Sequence, residues 1–295
     1  MLLWIPATLA ASVLQVARNG LQRSLLPKSG PWAATLVRFL FGLPFSLVAA
    51  VGLYAVTPGA AIHLSRGFWL DAFSGAVTQV LATACLLVAM RRAGFAVGTS
   101  MQQSSLPLAA ILGLIVFDDR LTAVAWMGVA LTSAALVVLT WPRQGASGPQ
   151  PFSGGAFGLL SGLCFGYSLN AYRQAGLAMD PHHALFAAAA TVTATQAMQS
   201  LGLTVLLAAW DRAALRSVFA AWRQSLGAGF CGAMASICWL LALGLAPAAP
   251  VRALGVVEAP VAAVAGRRVF KEKLSLIQWI AGAVVALGVA MTALG

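Results

Sequence analysis

The chain has 295 residues, of which 60% are hydrophobic and only 8% charged, with a mean hydropathy of +0.88 and a formal net charge of +11. Soluble domains carry about 25% charged residues, so an exterior this poor in charge excludes an ordinary soluble enzyme, a disordered chain and a nucleic-acid binder. Lys and Arg stand in short clusters between long apolar runs, the pattern that orients a polytopic helical membrane protein.

A helix needs about 20 residues to cross the hydrocarbon layer. The first apolar run, 2–22, has no basic segment before it and no small-residue cleavage site after it, so it reads as a span and not as a removable signal. Ser12, Gln15, Asn19 and Gln22 share one face of it, with Arg18 beside them. The second run, 32–55, carries Arg38; the third, 68–90, carries Gln79 and Thr83; the fourth, 95–117, carries Thr99, Gln102 and Gln103. A fifth covers 123–141. The stretch 142–153, rich in Pro, Gly and Ser, resists helix and strand alike and reads as a linker between residues 1–141 and 154–295.

Beyond the linker the sixth run, 154–176, opens with a small-residue stripe, Gly154, Gly155, Gly158 and Gly162, which lets helices approach closely. Tyr167, Asn170 and Gln174 repeat the polar face of the first run. The seventh, 183–209, holds Thr195, Gln196 and Gln199; the eighth, 225–245, holds Ser236 and Trp239. The ninth, 251–270, contains Arg252 and Glu258, the latter the single carboxylate deep in a span, and 274–294 is the tenth. Trp4, Trp32, Trp69, Trp141, Trp210 and Trp222 fall at run boundaries, as an interfacial belt does.

Cys85, Cys164, Cys231 and Cys238 lie inside apolar runs without a Cys-x-x-Cys spacing, which supports neither a disulfide framework nor a zinc site. His63 and the His182–His183 pair fall near run ends; neighbouring histidines on a helix diverge, so surface or packing roles are expected and no cofactor is implied.

The two halves resemble each other. At a gapless offset of 153, Cys85 meets Cys238, Pro107 meets Pro260, Gly113 meets Gly266, Phe117 meets Phe270 and Trp126 meets Trp279, while Asn19 meets Asn170 at 151. Five is an odd number of spans, so the second copy is expected to enter the membrane from the opposite side. The expected fold is therefore all-α, ten transmembrane helices as two inverted five-helix repeats around a central cavity, the architecture of secondary transporters.

The segment from Val251 to Pro260, V-R-A-L-G-V-V-E-A-P, with the small residues after it and the Gly-rich tenth run, resembles the end of the ten-helix EamA branch of the drug/metabolite transporter superfamily. Leu106–Leu121 is the weaker first copy, and Arg38-Phe39 is similar to an Arg found in the second helix of many members. The resemblance covers nearly the whole chain in length, span number and repeat. It implies export of small metabolites or amino acids; R-A-L-G-V-V-E-A-P is most similar to bacterial threonine/homoserine exporters. Here Ala259 separates Glu258 from Pro260, where those exporters have Glu directly before Pro, a difference of about 100° around a helix.

Polar groups in hydrocarbon face a cavity or one another. Gln15, Asn19, Gln79, Gln102, Gln103, Tyr167, Asn170 and Trp239 are the candidates for a cavity lining that suits a small zwitterion; the alternative for any one of them is interhelical hydrogen bonding. Glu258 either carries a proton through a transport cycle or serves as fixed counter-ion to Arg38, Arg18 or Arg252. Twelve Lys and Arg lie in the odd-numbered connections against three or four opposite, Arg66, Arg120 and Arg173 with Arg252 counted or not, which by the positive-inside rule puts both termini outside. The resemblance implies termini in the cytoplasm. The expected function is a multi-pass inner-membrane secondary transporter for amino acids or similar polar metabolites, with the lipid bilayer and protons as further partners and no nucleic acid. An intramembrane transferase would need clustered acids or a nucleophile–base pair, and a channel or assembly subunit has no need of an inverted duplication.

Overall fold

A computed structural model describes residues 3–102, 104–105, 122–140, 151–246, 251, 254–255, 257–271 and 275–294. Every regular element among them is a helix: α1 (Trp4–Leu40), α2 (Leu43–Val56), α3 (Arg66–Ala93), α4 (Phe95–Gln102), α5 (Ala123–Thr140), α6 (Pro151–Met179), α7 (Ala184–Trp210), α8 (Arg212–Ala220), α9 (Trp222–Leu245), α10 (Glu258–Val269) and α11 (Leu276–Leu294). Among the described residues five helical stretches, Ser29–Val56, Arg66–Ala93, Phe152–Met179, Ala184–Trp210 and Trp222–Leu245, are long and apolar enough to cross a membrane. They coincide with the second, third, sixth, seventh and eighth runs of the sequence. The first run falls short of that standard because Gln15, Arg18, Asn19 and Gln22 interrupt it.

The expected loop between the first and second runs is absent. Helix α1 continues through it and breaks at one residue, Gly30, whose φ of 70° and ψ of 175° are not helical. Glycine is the residue that reaches this conformation without a steric penalty. The break is a reversal: Gln22 Nε2 donates to the Ala34 carbonyl at 2.7 Å, although twelve residues of straight helix would separate them by about 18 Å. A second departure is α8, where a loop was expected; the Asp211 carboxylate caps it by accepting the Ala214 N–H at 2.9 Å. Gln103, Arg252 and most of the expected linker lie outside the described residues.

Compactness does not follow the sequence halves. One unit comprises Met1–Val80 with Tyr167–Pro247, the other Leu81–Gly166 with Ala248–Gly295, so each draws on both halves, and the first two of the three boundaries fall within α3 and α6. These are units of packing, formed where helices of one half bury their apolar faces on helices of the other.

In the first unit, α1 lies along α9 and α2 along α7. Phe68 and Ala72 of α3, Ala175 and Met179 of α6, and Ala190, Ala194 and Met198 of α7 form an apolar cluster. In the second unit, α5 and α11 pack as a pair. Gly288 makes this possible, since a Cβ there would stand 2.8 Å from the Gly128 carbonyl and collide with Thr132. The stripe at the start of α6 works the same way: a Cβ at Gly154 would meet Ala93, at Gly158 Met101 and at Gly162 Ser104.

The burial pattern is that of a protein solvated by lipid. Val48, Leu201 and Leu276 are 72%, 69% and 74% exposed, while Arg18 and Asn19 are fully buried. A water-facing exterior would invert that order; an apolar exterior over a polar interior is what a bilayer selects. Trp210 at the end of α7 and Trp222 at the start of α9 are exposed beside Arg212 and Arg223, with the Arg223 guanidinium 5.4 Å over the Trp222 ring, the composition of a headgroup interface.

Candidate functional site

The polar residues of α1 fall into one stripe because positions three and four apart stack on a helix face. Gln15, Arg18, Asn19 and Gln22 are all buried, roughly midway along the 4–29 arm and about 20 Å from its start. The Arg18 guanidinium donates through two nitrogens to Asn19 Oδ1. The Trp239 indole N–H of α9 donates to Gln15 Oε1 at 3.2 Å. Arg38, on the second arm of α1 and 2% exposed, donates to Ser236 Oγ of α9 at 3.3 Å.

Gly232 of α9 makes room for both arginines. A Cβ there would stand 3.0 Å from Arg38 Cγ and 3.3 Å from Arg18 Cδ. The two aliphatic stems thus cross one glycine, and their cationic heads are brought into the same buried neighbourhood. The Asn19 amide nitrogen is buried and has no hydrogen-bond partner among the described residues.

A second group lies on α3, α6 and α7. Gln79 Oε1 accepts from the Tyr172 hydroxyl at 3.1 Å and from Gln199 Nε2 at 3.0 Å; Gln199 Nε2 also reaches the Tyr172 oxygen at 2.9 Å and the Ala76 carbonyl at 3.2 Å. The Tyr172 ring fits because residue 75 is glycine: a Cβ there would lie 2.5 Å from Tyr172 Cε1. Ser46 of α2 donates to Gln196 Oε1 of α7 at 2.9 Å. Beside Tyr172, a small cleft of about 30 Å³ is lined by Arg173, Asp180 and Leu240 among others, and Arg173 Nε donates to the Leu243 carbonyl at 3.2 Å.

At one end of this unit the 57–65 connection is fastened to the turn after α6. Asp180 accepts from the backbone N–H groups of Ala61 at 3.0 Å, His182 at 2.9 Å and His183 at 3.1 Å, and its Oδ2 lies 2.8 Å from His183 Nδ1. His63 is held to the Met179 carbonyl through both its backbone N–H and Nδ1. Burial alone would raise the Asp180 carboxyl, but the hydrogen bonds from Ala61, His183 and the backbone of His182 outweigh it and hold the group well below the usual carboxylate range. Two histidines that the sequence assigns to surface or packing thus belong to a structural clasp. Among the described residues no group of three His, Cys, Asp or Glu could hold a metal.

Of the residues singled out from sequence, Gln15, Asn19, Arg38 and Trp239 come together around α1 and α9, and Gln79 joins the α3–α6–α7 group. Tyr167 and Asn170 do not join either; both are exposed, on the face of α6 away from Tyr172. Gln102 is buried in the second unit, as is Glu258 at the start of α10. Tyr172 and Gln199 emerge as polar partners that sequence spacing did not select. The reason is angular: matching Asn170 to Asn19 draws attention to one face of α6, and Tyr172, two residues on, is about 200° round from it.

No family model matches the sequence, and no curated protein matches it. Solved structures do: 22 chains match. One, described simply as a crystal structure of a protein, aligns over 97% of this chain and 96% of its own with a TM-score of 0.62 and 17% identity. At that identity the likeness is one of fold.

Proposed function

We propose that the chain is a secondary transporter of the EamA type, moving small polar metabolites, amino acids foremost, across the inner membrane by alternating access through ten spans built as two inverted repeats. The observation that carries the reading is a buried polar interior under an apolar exterior, in a chain whose halves match at a gapless offset of 153 from Cys85–Cys238 to Trp126–Trp279.

The ends of the helices support inversion. The turn at Gly30 corresponds, at offset 151, to the turn at Pro181. The turn at 180–183 is bonded to residues 61 and 63, which lie beyond α2. From Gly30 to the end of α2 is 26 residues of largely helical chain, about 39 Å, one bilayer away. Equivalent turns at opposite ends are what inverted copies require. The buried amides, tyrosine and arginines supply polar contacts for a hydrophilic substrate in an apolar surround.

Reconstitution into liposomes tests this. Protein preloaded with unlabelled amino acids is expected to accumulate labelled amino acid transiently, with saturable kinetics, because a carrier exchanges. Linear flux without counterflow would replace the carrier with a channel, and no flux of any polar metabolite would remove the reading.

A further inference from the structure

We infer that α8 and the ends of the two spans it joins form a binding surface for anionic phospholipid headgroups; this rests on the membrane character of the chain and not on the transporter reading. Helices α7 and α9 pack together, each is long enough to cross a bilayer, and α8 joins the end of one to the start of the other. Its nine residues extend about 13 Å, less than half of the hydrocarbon thickness of about 30 Å, so it lies at the membrane face where both spans end. The helix has two sides. Val218 is fully buried, its carbonyl accepts from Ser225 Oγ at 3.4 Å, and α8 packs on α1, α7 and α9. Arg212 and Arg216, four positions apart on one face, are exposed on the other side, and exposed Arg223 follows at the start of α9. Arg212 Nε donates to the Ala208 carbonyl at 3.0 Å and the Arg223 guanidinium stands over the Trp222 ring; neither contact removes charge. Asp211 is the only acid in the sequence between Asp180 and Glu258, and its carboxylate caps α8 through the Ala214 N–H. Among the described residues no carboxylate pairs with any of the three arginines. That charge alone would suit any phosphate, which guanidinium forks bind well. The aromatic residues name the source. Within 210–222, Trp210, Phe219 and Trp222 are 83%, 54% and 50% exposed, and large rings beside cations fit the boundary where acyl chains meet headgroups. A soluble anion would leave those rings in water. Because α8 braces three helices at once, a lipid held on its outer face stabilises the fold.

The test titrates the full-length protein, in a neutral detergent, with phosphatidylglycerol, with phosphatidylcholine and with inorganic phosphate, following the melting temperature. Phosphatidylglycerol is expected to raise it at lower concentration than phosphatidylcholine, with a difference that shrinks at high salt, and phosphate is expected to leave it unchanged. Each arginine at an anionic surface contributes about a fivefold gain in binding. Arg212→Gln, Arg216→Gln and Arg223→Gln combined are therefore expected to raise the half-saturating phosphatidylglycerol concentration by about a hundredfold, while Arg→Lys at the same three positions keeps most of the preference. Hydrogen exchange locates the effect. In bilayer discs made of equal parts of the two lipids, the 211–221 backbone is expected to exchange more slowly than in discs of phosphatidylcholine alone, with 180–187 at the opposite end of α7 as the unchanged reference. Equal stabilisation by both lipids, a preference untouched by the triple glutamine variant, slowing confined to other segments, or phosphate alone reproducing the shift would each overturn the lipid surface. None of these readouts involves transport, so the carrier reading stands or falls separately on flux.

Discussion

Replacing Gly229 by alanine asks whether α9 meets the end of α1 at backbone contact. A Cβ there would stand 2.5 Å from the Phe41 carbonyl oxygen and 2.6 Å from the Gly42 nitrogen, inside the 3.0 Å that real Cβ atoms keep. These are main-chain atoms, so no rotamer change relieves the overlap. The helices must part by roughly half an ångström or more, which loosens the neighbouring Phe45–Phe230 pair, now 5.3 Å between centroids. Overpacking costs about 1–3 kcal/mol, here towards the upper end, while alanine returns about 1 kcal/mol of helix propensity. The net loss of about 2 kcal/mol corresponds to a melting temperature lower by about 4–8 °C, at the 2–4 °C per kcal/mol of a chain this size. Gly202 in α7 is the matched control, because nothing lies within 4 Å of its Cβ; Gly202→Ala keeps the propensity gain alone. Both are measured by fluorescence-detected melting of detergent-solubilised protein. If Gly229→Ala melts with or above Gly202→Ala, the close approach of α9 to the α1–α2 corner is wrong.

In the α3–α6–α7 group, Tyr172→Phe leaves Gln199 two other acceptors and is expected to destabilise by about 1 kcal/mol, whereas Gln79→Leu removes at once an acceptor of the Tyr172 O–H and one of Gln199, costing about 1–3 kcal/mol. The reverse order in melting experiments would contradict the shared acceptor at Gln79. Asp180, held below its ordinary pKa, contributes stability that is complete above the unfolded carboxyl value of about 3.9 and drains away as pH falls towards the depressed folded value. Asp180→Asn is therefore expected to melt lower at neutral pH and to lack that acid limb; parallel curves for both proteins from neutral pH down to pH 3 would assign the acid sensitivity elsewhere.

The class of the molecule and most of its long helices were legible because lipid imposes a simple rule, an apolar run of membrane length, and the second, third, sixth, seventh and eighth runs obey it. The first connection was misread because Arg23 and Lys28 look like a loop to a hydropathy count, whereas the helix runs on through both positions and reverses at one glycine, Gly30. The compact units were illegible for a different reason. Sequence order does not say which helices pair, since apolar faces are buried wherever they fit, and the Gly75–Tyr172 and Gly158–Met101 contacts join residues from different halves. Polar candidates on α1 were found because four of them share a face. On α6 the same spacing selects Tyr167 and Asn170, and the buried partner, Tyr172, sits on the opposite side, marked in helical phase only by the small hydroxyl of Ser168.

On the carrier reading proposed above, the two halves differ where a one-sided substrate site would need them to. In the proposed register Gln79 corresponds to Gly232, at offset 153. In one copy that helical position bears an amide that ties Tyr172 to Gln199; in the other it bears no side chain, and Arg18 and Arg38 cross the space. On the proposed reading that difference serves a substrate with distinct ends, since a perfectly two-fold lining would offer both ends the same groups.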